Sequence, residues 1–491
     1  MSTRHLSRRS VLAGIAAGSG AAFLGTPGCS LFRGSSHAAA SDPAQLDLGD
    51  ASRALRARSL SPVDLTNACL SRINRLDPRL NSFITVTPER ALAEARKAEC
   101  EIAEGRWRGP LHGIPIAVKD NVDTAGVRTT AASAVFAERV PTEDAEVIRR
   151  LSDAGAVFLG KLNMHEFAMG TTSAISHFGP VHNPWDLQRV AGGSSGGSGA
   201  AVAAGLCFGA VGTDTGGSIR IPAACCGIVG LKPTFGVVSA RGTVPVSPSF
   251  DHVGPMCRNV GDSALMFRAM TDHWIAKDCD PHSMPPTSGL RVGVLRTTGG
   301  VCDAPVEPEV AAAVDAAVEV IRRLVAEVRE AELPMPDLGA LIDAESDAFH
   351  LPHLAAAPER YDARTRKDAL SGRAISETEV ARLRQELARH RASIQGAFSN
   401  VDLVVLPTLP GLPMPIREAT EPFALPACTF AFSLGGLPAI SVPCGFSRSG
   451  LPIGLLIGGP PLSEPRILAL AQAYEAATDW HRRRPPLWNL P

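Results

Sequence analysis

The feature that most constrains this chain is a serine held in a glycine cradle, Ala191-Gly192-Gly193-Ser194-Ser195-Gly196-Gly197-Ser198-Gly199, continuing through Ala200 to Gly205. Glycine adopts backbone conformations and close approaches that other residues refuse. Two further stretches belong with it. In Pro110 to Asn121, Lys119 ends an apolar run, and in Gly212 to Thr234, Ser218 follows Gly216 and Gly217. A lysine and two serines among glycines supply the parts of base-activated acyl transfer, and the expectation is an enzyme.

Around these stretches helical and strand patterns alternate. Ser61-Pro62-Val63-Asp64 supplies an N-cap, a proline at the first helical position and an early acid, with Leu65, Ala68, Cys69 and Leu76 as an apolar stripe ending near Asp77-Pro78. A second helix starts at Thr87-Pro88 and carries Leu92, Ala95 and Ile102. Ile114 to Val118 then reads as a buried strand. A helix after Thr142 stops at Gly155, and strands follow at 156–160 and 208–211. Later come strand Leu290 to Leu295, a helix from Pro308 to about Leu333, and a helix capped by Ser376 and Glu379 leading into strand Val401 to Leu406. Strands Ala439 to Val442 and Ile453 to Ile457 precede a last helix from Glu464 to about Thr478. The pattern predicts an α/β fold. No repeat or long polar linker divides it, so one catalytic domain is expected over 42–491, with Asp272 to Gly289 as an internal loop or hinge.

Composition excludes some classes. Forty-eight basic residues against forty-nine acidic leave no electrostatic footprint for nucleic acid or an anionic membrane. Eleven cysteines lack the spacing of a zinc site and read as buried free thiols. Residues 1–41 are set apart as a signal peptide and linker. Ser7-Arg8-Arg9-Ser10-Val11-Leu12 is a twin-arginine pattern, and the apolar stretch from Val11 to Leu24 is too short and glycine-rich to span a membrane. The expectation is export of a folded product to the periplasm, cleaved after Ser36-His37-Ala38; lipid attachment at Cys29 is the alternative.

Each chemical stretch also has a plain reading. Lys119 could pair with Asp120 at a strand end, or enter a low-dielectric site as a neutral base. Holding an ordinary lysine neutral at pH 7 costs about 4.6 kcal/mol, which burial would have to supply. Gly192-Gly193-Ser194-Ser195-Gly196 matches the G-x-S-x-G nucleophile elbow, but no apolar strand precedes it, and no phosphate-loop ending follows. Gly212 to Ser218 is either a tight structural turn or a loop whose N–H groups at Thr215, Gly216, Gly217 and Ser218 form an oxyanion hole.

Taken together, the three stretches resemble the amidase signature family, in its order and spacing, over about Leu46 to Ala477. The resemblance implies a large mixed sheet covered by helices on both faces. It matches Lys119 to the family's catalytic lysine, Ser194 to its bridging serine, which follows a cis peptide bond, and Ser218 to its nucleophile. Asp214 and Arg220 match positions that brace the nucleophile loop, and Ser195 a supporting hydroxyl. No histidine, metal or cofactor is implied; His112, His165 and His252 are expected to be structural.

Leu162 to Phe167 and Gly436 to Pro443 read like the glutaminase subunits of tRNA-dependent amidotransferases, so the alternative is a glutaminase-type subunit of such an enzyme. Where those subunits carry a glutamine-binding acid, this chain has Ala424-Leu425-Pro426-Ala427-Cys428-Thr429. The expectation is therefore a stand-alone exported amidase, monomer or homodimer, acting on a small amide. Its pocket walls would come from His350 to Arg373 and from Thr408 to Phe432, where Phe423, Phe430 and Phe432 either line an acyl site or are simple core. A non-catalytic exported binding protein is the third reading.

Overall fold

A computed structural model of the chain describes residues 42–295 and 304–489. The twin-arginine segment, Cys29 and Ser36 to Ala38 lie outside the described residues. In chain order the strands are β1 (Phe83–Val86), β2 (Pro115–Lys119), β3 (Val157–Leu162), β4 (His182–Asn183), β5 (Asp186–Val190), β6 (Gly209–Asp214), β7 (Val229–Lys232), β8 (His252–Cys257), β9 (Arg291–Leu295), β10 (Glu327–Ala331), β11 (Leu403–Pro407), β12 (Ala439–Phe446) and β13 (Pro452–Gly458). Eleven of them form one mixed sheet in the order β1-β3-β2-β6-β8-β7-β12-β13-β11-β9-β10, while β4 pairs only with β5. Helices cover the large sheet on both faces, as the α/β reading requires.

The centre of the sheet explains the apolar run before Lys119. Strand β2 lies between β3 and β6, parallel to both, and all five of its residues are buried. Strands buried on both faces read as continuous hydrophobic runs. Val118 sits opposite Val211, so Lys119 and Asp214 emerge together at the carboxyl ends of β2 and β6, where parallel α/β sheets place their ligands.

Local signals set most helices. Ser61 Oγ accepts from the N–H groups of Val63 and Asp64 at the start of Pro62–Leu80, and Leu65, Cys69 and Leu76 are buried along its inner face. This helix runs past Pro78, which sits in the last turn, and ends at Asn81 in the left-handed region. The helix expected from Pro308 to Leu333 stops at Arg322, and Glu327–Ala331 is instead strand β10. Its residues favour helix locally, but the open edge of β9 offers a parallel ladder from Arg291 to Leu295, and that pairing prevails. The charged, largely exposed side chains of β10 suit a sheet edge. The stretch from Asp272 to Gly289 contains a short turn of helix, Trp274–Asp278, whose Ile275 and Ala276 are buried in the main core.

Cys69, Cys207, Cys225, Cys226, Cys257, Cys279 and Cys444 are buried free thiols, and Cys100 is exposed and free. Cys428 departs from the free-thiol expectation, being disulfide-bonded. No helix among the described residues is long and apolar enough to cross a membrane.

Candidate active site

Lys119 is the last residue of β2 and is fully buried. Its Nζ donates to Ser194 Oγ at 2.7 Å and to Thr213 Oγ1 at 2.7 Å, with Thr213 O at 3.4 Å. Burial lowers its pKa to about 7, against the upward pull of Asp214 and Asp251. Lys119 does not pair with Asp120, because its ammonium is taken by Ser194 and Thr213. Asp120 accepts instead from the Thr130 N–H at 2.9 Å and from the Thr130 hydroxyl.

Ser194 follows a cis peptide bond from Gly193, the feature implied by the resemblance. Its carbonyl accepts from His165 N–H at 3.0 Å and from Ser173 Oγ at 3.2 Å, which holds the backbone beside the hydroxyl. Ser195 is the N-cap residue of helix Gly196–Ala203, and its Oγ donates to Thr213 O at 3.2 Å. Small residues are required here: a Cβ on Gly197 would lie 2.3 Å from Asn163 O and 2.5 Å from Ser82 O. At the far end of the helix, buried Arg72 donates to Ala204 O at 2.9 Å and Gly205 O at 3.1 Å, a favourable place for a cation. A strand, β5, does precede the serine stretch, but it belongs to the separate two-stranded sheet, so the elbow's support from a core strand is missing.

Ser218 lies on the loop between β6 and helix Arg220–Cys226 and is 8% exposed. Asp214 and Arg220 brace this loop through a two-point ion pair, Nε to Oδ2 at 2.9 Å and Nη2 to Oδ1 at 2.7 Å, with both side chains fully buried. Burial alone would raise the Asp214 pKa, yet the Arg220 guanidinium holds it down at about 2. Arg220 also donates to Thr429 O at 2.7 Å and Ser433 Oγ at 2.9 Å. The N–H groups of Gly216, Gly217 and Ser218 have no acceptor among the described residues, which leaves them free for a ligand. Thr215, the fourth predicted donor, adjoins them and is tied through its hydroxyl to Asp251 Oδ1 at 2.6 Å. Ser194 Oγ and Ser218 Oγ share no direct hydrogen bond. The two loops are linked instead by Ser195 N–H to Ser218 O at 3.2 Å.

Four residues of this arrangement carry little signal in the sequence. Thr213 is the second partner of Lys119, and Asn121 donates to Thr213 Oγ1 at 3.2 Å. Both lie within the lysine and nucleophile stretches, where the neighbouring residues hold the more distinctive pattern. Asp251 holds Thr215, and Thr429 Oγ1 donates to Gly216 O at 2.6 Å. These two come from distant segments with no local motif.

The histidines serve elsewhere. His112 Nε2 is 3.1 Å from Glu101, His165 Nδ1 accepts from Ser173 N–H, and His252 is 3.1 Å from Lys232 Nζ. None of these rings bonds to Lys119, Ser194 or Ser218. Of the three phenylalanines, Phe430 lies over Gly216, Phe432 is core and Phe423 is exposed. Among the described residues no group of His, Cys, Asp or Glu is arranged to hold a metal ion.

A large mixed sheet thus carries, at the carboxyl end of a central strand, a buried lysine joined to a serine at the head of a glycine-rich helix. The chain belongs to the Amidase family, whose model matches residues 64–468. It is 40% identical to the A subunit of glutamyl-tRNA(Gln) amidotransferase from Moorella thermoacetica, over 88% of this chain and 96% of that protein. The corresponding protein of Methylococcus capsulatus is 42% identical, over 89% and 98%. Among solved structures, native peptide amidase from Stenotrophomonas maltophilia has a TM-score of 0.75 at 33% identity, covering 91% of this chain and 99% of that one. A 6-aminohexanoate cyclic dimer hydrolase complexed with substrate has a TM-score of 0.81 at 29% identity, covering 91% and 100%.

Proposed function

We propose that this protein hydrolyses a carboxylic amide to an acid and ammonia or an amine through an acyl-enzyme on Ser218. The observation that carries this reading is the buried Lys119 Nζ 2.7 Å from Ser194 Oγ, beside a nucleophile loop with unsatisfied N–H groups. In its neutral form Lys119 turns its lone pair toward Ser194 and takes that hydroxyl's proton as Ser194, whose hydroxyl closes on Ser218 when substrate is bound, takes the proton of Ser218. The Ser218 oxygen attacks the amide carbon, and the N–H groups of Thr215, Gly216, Gly217 and Ser218 receive the developing oxyanion. The relay then runs backward, protonating the leaving nitrogen as the carbon–nitrogen bond breaks. Water, activated by the same relay, cleaves the ester and restores Ser218.

The substrate is a small amide handled without a partner protein. Support comes from Ala424 to Thr429, which offers no carboxylate for an ammonium group, and from solved neighbours that are named a peptide amidase and a 6-aminohexanoate cyclic dimer hydrolase. The second reading is a glutaminase-type amidotransferase subunit, favoured by 40% identity to such subunits along nearly the whole chain. A panel of short aliphatic amides, aryl anilides, peptide amides and glutamine, with released ammonia or amine as readout, separates the two. Turnover of glutamine alone selects the amidotransferase reading. Equal turnover by Ser218→Ala rejects the mechanism, and no turnover of any amide supports the binding-protein reading.

We also propose export by the twin-arginine route, on the strength of Arg8-Arg9 and the short apolar stretch after them. Arg8→Lys with Arg9→Lys is expected to leave the protein in the cytoplasm; unchanged export refutes it.

A further inference from the structure

A second set of polar contacts leads to the nucleophile loop through segment 244–251. Helix Gly339–Ala356 and helix Glu377–Ser393 pack together over segment 244–250, with Leu341, Leu383 and Leu387 against Phe250. Glu345, on the first helix, is buried and points into that segment. Its Oε2 accepts from Ser247 Oγ at 2.6 Å and Ser249 N–H at 3.1 Å, and its Oε1 accepts from Ser249 Oγ at 2.8 Å. Arg384 of the second helix completes the set, donating from Nη2 to Oε1 at 2.9 Å.

The same segment is held from its other side. Asp251 Oδ2 accepts from the Val246 and Ser247 N–H groups at 3.0 and 3.1 Å, while its Oδ1 takes the Thr215 hydroxyl. A continuous chain of hydrogen bonds thus runs from Arg384 through Glu345, Ser247 and Asp251 to Thr215, three residues before Ser218. From Glu345 inward every link is made by a buried or half-buried group, where a missing partner is costly. We infer that Glu345 is a positioning residue for the nucleophile loop: it sets the place of Thr215 and its neighbouring N–H donors through Ser247 and Asp251, without touching substrate. This rests on the acyl-enzyme reading above, and it gives the two helices a part in the chemistry.

The test uses the full chain and a readout that does not need the natural substrate, the rate at which a fluorophosphonate probe labels Ser218, followed by mass spectrometry. Glu345→Gln keeps size but places an amide N–H against donors, and it is expected to slow labelling about tenfold while the folded fraction by circular dichroism is unchanged. On an amide that the wild type turns over, the loss is expected in kcat, with KM within about twofold, because oxyanion donors act in the transition state. Ser249→Ala, a milder change that leaves Ser247, the Ser249 N–H and Arg384 in place, is expected to slow labelling about threefold and covers the case in which Glu345→Gln fails to fold.

The decisive comparison is a cycle with Thr215→Val. Glu345 and Thr215 share no contact, so independent roles give multiplied losses, whereas a shared path makes the double variant lose less than the product. Multiplied losses, unchanged labelling, or a fall confined to KM overturns the inference. Failure of the reading beneath it looks different: the wild type itself is then not labelled at Ser218.

Discussion

Lys119 Nζ lies 2.7 Å from Ser194 Oγ and equally close to Thr213 Oγ1, within a site where the lysine has no exposed surface. The contact to Thr213 is as informative as the one to Ser194. A neutral amine has two N–H bonds and one lone pair; with its hydrogens directed at Thr213 Oγ1 and Thr213 O, the lone pair is left facing the serine.

The pH dependence follows from burial. Burial brings Lys119 down to about 7, and only the neutral form accepts a proton, so kcat/KM is expected to rise with pH through about 7 and level off above it. A profile on a substrate whose own groups do not titrate checks this. Activity that falls as pH rises through 7 contradicts the assignment of Lys119 as base.

The two serines are expected to differ in degree. On the proposed mechanism Ser218→Ala removes the nucleophile and should lower kcat about 10⁴-fold or more, with no acyl adduct detectable by mass spectrometry. Ser194→Ala removes the proton bridge alone and should cost about 10²- to 10⁴-fold with slow acylation still visible. An intact burst of acylation in Ser218→Ala would contradict the assignment of Ser218 as nucleophile.

Gly217→Ala tests the donor loop. A Cβ at this position, at φ of +157°, would fall 2.2 Å from Thr429 Oγ1, so the loop must shift and the bond from Thr429 to Gly216 O must yield. The expected loss is about 10²- to 10³-fold in kcat with KM little changed. Wild-type kcat in the variant would show that the loop donors are not used.

Asp214→Asn should be a stability lesion first. Removing one charge of the buried pair leaves Arg220 uncompensated, with an expected cost of about 3–5 kcal/mol in denaturant unfolding. The pH sign agrees. Because Arg220 outweighs burial and holds Asp214 at about 2, below an unfolded value of about 3.9, its contribution is complete above about 3.9 and is lost as pH falls through about 2. In the variant that acid-dependent part of the unfolding profile should be missing; an unchanged profile counts against the pair as a source of stability.

Elements with strong local signals were legible. The proline and serine cap at Ser61-Pro62, the Ser376 cap and the apolar run of β2 all correspond to structure at nearly the expected positions. Elements whose state depends on a distant neighbour were not. Glu327–Ala331 reads as helix and becomes strand because β9 presents an open edge. The hydrogen bonds around the serines divide the same way. Asp214 and Arg220 stand six residues apart in one motif, whereas Asp251 and Thr429 reach the loop from segments that no pattern links to it.

The sequence by itself determined the family and the α/β class and singled out Lys119, Ser194 and Ser218 as the candidates, because these depend on residue types in a fixed order along the chain. Only the tertiary structure decided which groups surround them: that Lys119 faces Ser194 and Thr213 rather than Asp120, and that the nucleophile loop is tied to Asp251, Thr429 and, through Ser247, to Glu345. Those partners come from segments far apart in the chain, and each becomes a neighbour only when the chain has folded around the carboxyl ends of β2 and β6.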